Sequence, residues 1–143
     1  MESLTKKFYD LFRGFSNAHG QTEIIDSKKH GKQMSKSYIV REPLSLDLVQ
    51  QHLDGKKGIG SIPIDENNQC RFGALDIDEY NLDLKNLAKK INSLKLPLTL
   101  CRSKSGGAHL YIFLSEPISA TEIRDRLAEF ASALGYGNCE IFP

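Results

Sequence analysis

Two carboxylates, Asp76 and Asp78, stand two residues apart in the run G-A-L-D-I-D that begins at Gly73. Side chains alternate between the two faces of an extended chain, so both acids project from one face while Leu75 and Ile77 project from the other. Two adjacent carboxylates repel each other, and a divalent cation removes that cost. Mg²⁺ and Mn²⁺ prefer sites made only of oxygen ligands. The pair therefore indicates a metal site, and the alternative is an exposed strand with two solvated acids.

A second group of residues that could do chemistry lies further along the chain, in a cationic loop that carries two glycines. Glycines let backbone N–H groups approach an anion, hydroxyls donate hydrogen bonds, and basic side chains add positive charge. These features are typical of a phosphate-binding loop, although a plain turn followed by a strand histidine has the same composition. The candidate phosphate ligands are Arg102, Ser103, Lys104, Ser105, Gly106, Gly107 and His109.

The elements that must position these two groups follow from the hydrophobic pattern of residues 70–143. This order of elements, β-α-β-β-α-β, is typical of the ferredoxin-like or RRM-like arrangement, so the predicted fold class is α+β. The first and third strands are then central neighbours, the fourth strand flanks the first, and both helices cover one face. The predicted spans are a strand over 72–78, a helix over 82–95, strands over 98–101 and 109–114, a helix opened by a capping box at 119–122, and a strand over 139–142.

In this arrangement, strand alternation gathers the polar strand residues on the open face of the sheet. The face covered by helices receives Leu75, Ile77, Leu98, Leu100, Leu110, Ile112, Leu114, Cys139 and Ile141, and the open face receives Asp76, Asp78, His109, Tyr111, Phe113, Glu140 and Phe142. Adjacent strands lie about 4.8 Å apart, so we expect His109 and Glu140 to flank the two aspartates. Three carboxylates can hold one or two divalent ions, as in phosphoryl or nucleotidyl transfer. Together with the cationic loop, they predict a metal–triphosphate pocket.

Residues 1–69 are predicted to form a small α/β subregion ahead of this unit. The predicted spans are helices over 3–13 and 46–54, strands over 38–40 and 58–64, and a long loop or hairpin over 16–37. A basic stretch here is a candidate nucleic-acid contact, although such stretches are commonly solvated faces. The residues named for that role are Lys28, Lys29, Lys32, Lys36 and Arg41.

The bulk composition is ordinary, with 143 residues, 40% hydrophobic and 26% charged residues, and a formal net charge of +1. This length fits one domain over 1–143, and the net charge decides neither for nor against a nucleic-acid partner. Three cysteines that form no C-x-x-C pair argue against a disulfide framework and against a zinc site. The sequence has no signal-peptide-like region and no apolar run of bilayer length. We therefore expect a cytoplasmic protein without a membrane partner.

Three motifs carry a resemblance to a known family: A-L-D-I-D at Asp76 and Asp78, R-S-K-S-G-G-A-H-L-Y-I-F at His109, and E-I-F-P at Glu140. They resemble the h-D-h-D, small-x-His and third acidic motifs of the archaeo-eukaryotic primase, or primase-polymerase, superfamily. The resemblance is closest to the primase domains of phage, plasmid and conflict-system proteins. Looser matches upstream are L-F-R-G at 11–14, H-L-D-G-K at 52–56 and G-I-G-S-I-P at 58–63.

The resemblance implies template-dependent synthesis of DNA or RNA from nucleoside triphosphates. It implies two divalent ions, Mg²⁺ or Mn²⁺, on Asp76, Asp78 and Glu140. It further implies that His109 and the loop before it bind the phosphates of the incoming nucleotide. The partners it implies are nucleoside triphosphates, a DNA or RNA template, and a fused or associated helicase or other replication protein. Primase domains of this kind usually continue past the third acidic motif, so we expect the domain to be truncated at Pro143.

Other functions stay open at this point. A non-enzymatic RRM-like nucleic-acid-binding module has the same order of elements, but the run that starts at His109 fits its aromatic signature poorly. Two aspartates also occupy the place where such a module would stack its bases, whereas in a primase Tyr111 or Phe113 on the open face could stack with a base of the template. A degenerate primase scaffold stays open because Glu140 stands where the third motif has Asp. A metal-dependent nuclease or a replication initiator is a further alternative. An initiator would need two histidines for the metal and a nearby nucleophilic tyrosine, and His109 stands alone in its half of the chain.

Overall fold

In the computed structural model the chain divides into two compact units, Met1–Asn67 and Asn68–Pro143. The structure describes residues 1–29 and 32–143, without the side chains of residues 26–33. The first unit contains α1 (Leu4–Phe12), β1 (His19–Lys29), β2 (Lys32–Val40), α2 (Leu46–Leu53) and β3 (Gly58–Gly60). The second contains β4 (Gln69–Ile77), α3 (Leu84–Ser93), β5 (Thr99–Arg102), β6 (Ala108–Ser119), α4 (Ala120–Leu134) and β7 (Glu140–Phe142). Within these residues, no helix has the length and apolar character that crossing a membrane requires.

The second unit is a four-stranded antiparallel sheet with strand order β5-β6-β4-β7. β4 and β6, the first and third strands of the unit, are central neighbours, and β7 flanks β4 on its other side. This order confirms the predicted α+β, ferredoxin-like fold.

The core of this unit lies between the sheet and its two helices. Leu75 and Leu110 stand directly opposite each other on β4 and β6, and both are fully buried. Ile123 and Leu127 of α4 belong to the same cluster. Gly73 lets α4 approach the sheet closely, because a β-carbon at this position would lie 2.8 Å from the Cδ1 of Leu127. All nine residues predicted for the helix-covered face belong to this core or pack against it.

Side-chain caps set the bounds of the two helices. The Ser119 hydroxyl accepts a hydrogen bond from the Glu122 backbone N–H at 3.1 Å, so α4 begins where the capping box predicts. Gly135 ends α4 with a φ of 87°, a left-handed conformation that glycine adopts without strain. α3 begins later than predicted because the Asp83 carboxylate caps it by accepting from the Asn86 N–H at 3.0 Å.

The first unit is a three-stranded antiparallel sheet with strand order β2-β1-β3, and its two helices contact each other. The polar stretch 16–37, predicted as a loop or hairpin, lies mostly within the β1–β2 hairpin. β3 ends at Gly60, earlier than predicted, and the Ile62 carbonyl accepts a hydrogen bond from the Phe15 N–H at 2.8 Å. Gly14 allows this contact, since a β-carbon there would meet the Ile62 oxygen at 1.9 Å.

His19 is the buried polar residue of the first unit, and its environment is that of a structural histidine. Its side chain is 1% exposed, and both ring nitrogens have partners. Nδ1 lies 2.8 Å from the Glu42 carbonyl oxygen and therefore donates to it, and Nε2 lies 3.0 Å from the amide nitrogen of Gln21 and accepts from it. A buried imidazole satisfied at both nitrogens has no lone pair left for a ligand.

Candidate active site

Four positions form one row across the sheet of the second unit. Asp76 on β4 stands opposite His109 on β6 and opposite Glu140 on β7, and Cys101 on β5 stands opposite His109. Residues directly opposite each other in neighbouring strands share a face, with β-carbons about 4.5–5.5 Å apart. The row therefore runs Cys101, His109, Asp76, Glu140. Cys101 was not among the candidates chosen from the sequence. Strand alternation nevertheless predicts its position, because Leu100 faces the core and the next residue must then lie on the same face as His109.

His109 contacts polar groups through both ring nitrogens. Its Nε2 lies 3.5 Å from Oδ1 of Asp76, and its Nδ1 lies 3.5 Å from the hydroxyl oxygen of Tyr111. Burial raises the pKa of Tyr111 above its usual value, and the neighbouring Cys101 and Asp76 raise it further. Tyr111 therefore keeps its proton at neutral pH and can donate to the imidazole. The Tyr111 ring in turn stacks on Phe113, with centroids 5.7 Å apart.

The cationic loop is a tight turn between β5 and β6. The Ser103 N–H donates to the Gly107 carbonyl at 3.0 Å, and the Gly106 N–H donates to the Ser103 carbonyl at 3.2 Å. Gly106 has a φ of 93°, which only glycine adopts without strain. The Lys104 and Ser105 side chains are exposed at the tip of this turn. The loop thus presents a cation and a hydroxyl from a closed backbone turn.

One side-chain contact joins this loop to the acids. The Ser105 hydroxyl lies 3.4 Å from Oδ1 of Asp78, and the Ser103 hydroxyl lies 3.2 Å from that of Ser105. Asp78 is exposed and directly follows the last residue of β4. The loop, Asp78 and the row at Asp76 are therefore neighbours at one end of the sheet.

Two groups of sequence candidates are not brought to this place. Arg102 stands opposite Ala108 on β6. Strand alternation therefore assigns Arg102 to the face covered by helices, whereas His109 belongs to the other face. Lys36 and Arg41 are exposed in the first unit, and Lys36 stands opposite Glu23. The side chains of the remaining basic candidates, Lys28, Lys29 and Lys32, lie outside the described residues.

The three acids at this end of the sheet fit a divalent ion by their chemistry. Asp76, Asp78 and Glu140 supply only carboxylate oxygens, the ligands that Mg²⁺ and Mn²⁺ prefer. In the part of the chain that the structure describes, no three His, Cys, Asp or Glu side chains are arranged to hold a metal ion. Cys139 packs against the core on the face covered by helices, and burial and the nearby Asp76 raise the pKa of its thiol. The donor types fit the ion, and the side chains do not converge on one point.

One family matches most of the chain. Residues 8–135 match the sequence model described as TOTE conflict system, Archaeo-Eukaryotic Primase domain. The matched range contains Asp76, Asp78 and His109 and ends before Glu140. No curated protein matches the chain at a significant level. A match of this extent, together with the acids and the cationic loop at one end of a ferredoxin-like sheet, shows that the chain belongs to the archaeo-eukaryotic primase domain family of TOTE conflict systems.

Proposed function

We propose that the protein is a nucleotidyltransferase of the primase-polymerase type, with residues 1–143 forming its catalytic domain. It would transfer nucleotides from deoxynucleoside or nucleoside triphosphates to a growing strand on a DNA or RNA template. The observation that carries this proposal is the position of Asp76 between His109 and Glu140 in strand register, beside the cationic loop. Family membership supports the reaction class.

The proposed roles of the acids follow from their charge. Asp76, Asp78 and Glu140 would hold the divalent ions, Mg²⁺ or Mn²⁺, on the open face of the sheet. Such ions, when bound, help to activate the attacking oxygen and stabilise the leaving one. Without counter-charge, three carboxylates would repel a triphosphate, so the acids are expected to bind it only together with the cation.

The proposed phosphate site lies on the β6 side of the acids. His109 would contact the phosphates through Nε2, the nitrogen that already faces Asp76 at 3.5 Å. The loop would contribute the Lys104 charge, the Ser103 and Ser105 hydroxyls, and backbone N–H groups near Gly106 and Gly107. Arg102 does not belong to this group, because its register places it on the other face of the sheet.

The nucleic-acid partner is proposed on more general grounds. Lys36 and Arg41 are exposed basic side chains that could contact template phosphates. A helicase or other replication protein, fused or associated, is the further partner that this reaction class suggests. We place the activity in the cytoplasm.

A nucleic-acid-binding module without chemistry is the second candidate. The stacked rings of Tyr111 and Phe113 on β6 favour it, because RRM-like modules bind bases on aromatic residues of their central strands. The nucleotidyltransferase would bind a nucleoside triphosphate together with a metal ion, whereas the module would bind nucleic acid and no triphosphate. A degenerate primase would resemble this module in having no metal-dependent triphosphate binding.

Calorimetric titration of dATP with Mn²⁺ tests the first candidate. The wild type is expected to bind, and the double variant Asp76→Asn, Asp78→Asn is expected to lose binding while keeping its thermal transition, since neither acid is buried. Asp125→Asn, at an exposed position on α4, is the matched control and should bind as the wild type does. A folded wild type that binds single-stranded DNA but no triphosphate would support the module instead.

A further inference from the structure

Three ring-bearing side chains of β6 form a ladder on the face of the sheet that carries Asp76. His109, Tyr111 and Phe113 occupy alternate positions of the strand and therefore share that face. The Tyr111 ring stacks on Phe113, with centroids 5.7 Å apart and planes 18° apart. It meets the His109 ring edge-on, with centroids 6.1 Å apart and planes 76° apart. Tyr111 thus lies between the imidazole and an aromatic support.

The ladder is packed at its far end against a buried residue. Phe113 stands opposite Phe72 on β4, and Phe72 is 6% exposed. Tyr111 stands opposite two small residues, Ala74 on β4 and Thr99 on β5, which leave room for its large ring. Because Phe113 covers one face of the Tyr111 ring, the phenol is held with its hydroxyl near the imidazole.

The Tyr111 hydroxyl sets the roles of the two ring nitrogens of His109. Its oxygen lies 3.5 Å from Nδ1, and a phenol keeps its proton at neutral pH, so the hydroxyl donates and Nδ1 accepts. A neutral imidazole that accepts at Nδ1 carries its hydrogen on Nε2. This hydrogen faces Asp76, whose Oδ1 lies 3.5 Å from Nε2. Long contacts of this kind at reactive sites commonly tighten when a ligand binds.

The two contacts of His109 differ in what a bound ligand would do to them. The oxygens of Asp76 are proposed ion ligands, so the contact with Nε2 competes with ion binding, whereas the hydroxyl of Tyr111 stays on Nδ1. The His109 side chain is 39% exposed, so a phosphate can reach it. Without the hydroxyl, the ring could turn and present the lone pair of its unprotonated nitrogen, which repels phosphate oxygens.

From this arrangement we infer that Tyr111 is a positioning residue for the triphosphate site. Its hydroxyl holds the His109 ring so that Nε2 donates to a phosphate, and Tyr111 itself touches neither the phosphates nor the base. This inference rests on the proposed nucleotidyl transfer. It adds to the site a residue outside the acids and the cationic loop, and it gives the ladder a role that needs no base stacked upon it.

A double-mutant cycle in the full chain tests this role. Calorimetric titration measures the binding of inorganic tripolyphosphate and of dATP, each with Mg²⁺, and tripolyphosphate is informative because it has phosphates but no base. Tyr111→Phe removes only the hydroxyl and should weaken the binding of both ligands about fivefold. In the His109→Ala background the same change should have no effect, because the group that Tyr111 positions is gone.

Tyr38→Phe is the matched control, since it removes a phenol hydroxyl that donates to Glu23 in the first unit and should change neither affinity. Long-range ¹H–¹⁵N spectra of the ligand-free protein at about pH 8, where an ordinary imidazole is neutral, give a second measurement. In the wild type, His109 should carry its hydrogen on Nε2, and the accepted hydrogen bond should shift the Nδ1 resonance. Tyr111→Phe should remove that shift.

A loss of affinity in Tyr111→Phe that persists in the His109→Ala background would mean that Tyr111 contacts the ligand itself. A loss for dATP but not for tripolyphosphate would mean that the ring stacks with the base. Either result, or an Nδ1 resonance that Tyr111→Phe leaves unchanged, would overturn the positioning role. A folded wild type that binds neither ligand would instead contradict the proposed function, and the inference would fail with it.

Discussion

Gly107 lies directly against the backbone of Ile77. A β-carbon built on Gly107 would come within 2.1 Å of the Ile77 carbonyl oxygen and within 3.2 Å of the Glu79 nitrogen. Both atoms belong to the backbone and cannot rotate away as a side chain would. Ile77 stands between Asp76 and Asp78 in the chain, so this glycine sets how closely the cationic loop approaches the two acids.

Gly107→Ala should therefore push the loop away from the end of β4. The contact between Ser105 and Asp78 would be lost, and triphosphate affinity in the presence of Mn²⁺ should fall about tenfold. The added methyl group should also cost about 1–3 kcal/mol of stability, as overpacking commonly does. Calorimetry measures the affinity, and denaturant unfolding measures the stability.

Gly60→Ala is the matched control for this change. A β-carbon at Gly60 would meet only the α-carbon of Gly20, at 4.0 Å. Gly60→Ala should therefore change neither the triphosphate affinity nor the stability by much. Unchanged triphosphate affinity in Gly107→Ala would mean that the loop position does not matter for binding.

The row at Asp76 could be predicted from sequence because it depends on two simple patterns. The alternation of Leu75 and Ile77 with the aspartates fixes one face of β4, and the order of helices and strands fixes which strands are neighbours. His109 and Glu140 then fall beside Asp76 without any knowledge of side-chain contacts. The ferredoxin-like fold followed from the same two patterns.

Other features depend on contacts that the local sequence does not contain. The β1–β2 hairpin has few alternating apolar residues, so the sequence left both a long loop and a hairpin open for residues 16–37. β3 ends early beside the backbone bond between Phe15 and Ile62, which are far apart in sequence. Arg102 was grouped with the loop by its charge, although strand alternation assigns it to the other face.

Leu75→Ala should show how much the central pair of the sheet contributes to stability. Leu75 is fully buried opposite Leu110, so the truncation should cost about 2–5 kcal/mol through lost burial and the cavity left behind. Denaturant unfolding followed by circular dichroism measures this cost. Leu94→Ala removes a leucine that is 45% exposed and should cost no more than about 0.5 kcal/mol. Equal costs for the two variants would contradict the packing described for β4.

Ser16→Ala should change the pH dependence of the first unit through Glu66. The Ser16 hydroxyl and the Ser16 N–H, the latter at 2.8 Å, both donate to Oε1 of Glu66, and these bonds lower the pKa of Glu66 below its usual value of 4.5. A carboxylate with a lowered pKa contributes stability that is present above its unfolded pKa and is lost as the pH falls through the folded pKa. The wild type should therefore be more stable than the variant at neutral pH, and this advantage should shrink in acid.

Side-chain NMR titration of Glu66 checks this directly, since its pKa should rise toward 4.5 in Ser16→Ala. Thermal unfolding at neutral pH and at about pH 3 checks the consequence for stability. Ser35→Ala, at an exposed position on β2, should leave both unchanged. A Glu66 pKa that is the same in the wild type and in Ser16→Ala would show that the hydroxyl does not stabilise the carboxylate.

His109→Ala should weaken triphosphate binding more than nucleic-acid binding. The imidazole lies in the row between Cys101 and Asp76, on the same side of the acids as the cationic loop, and its loss removes a donor at the proposed phosphate site. We expect about a tenfold loss of affinity for dATP with Mn²⁺, with little change in the affinity for single-stranded DNA. His52→Ala in the first unit, where the ring contacts the Lys57 carbonyl, is the control and should change neither affinity. Equal losses of affinity for the triphosphate and for the DNA would argue against a phosphate role for His109. A side chain that contacts only the triphosphate should not change the affinity for DNA.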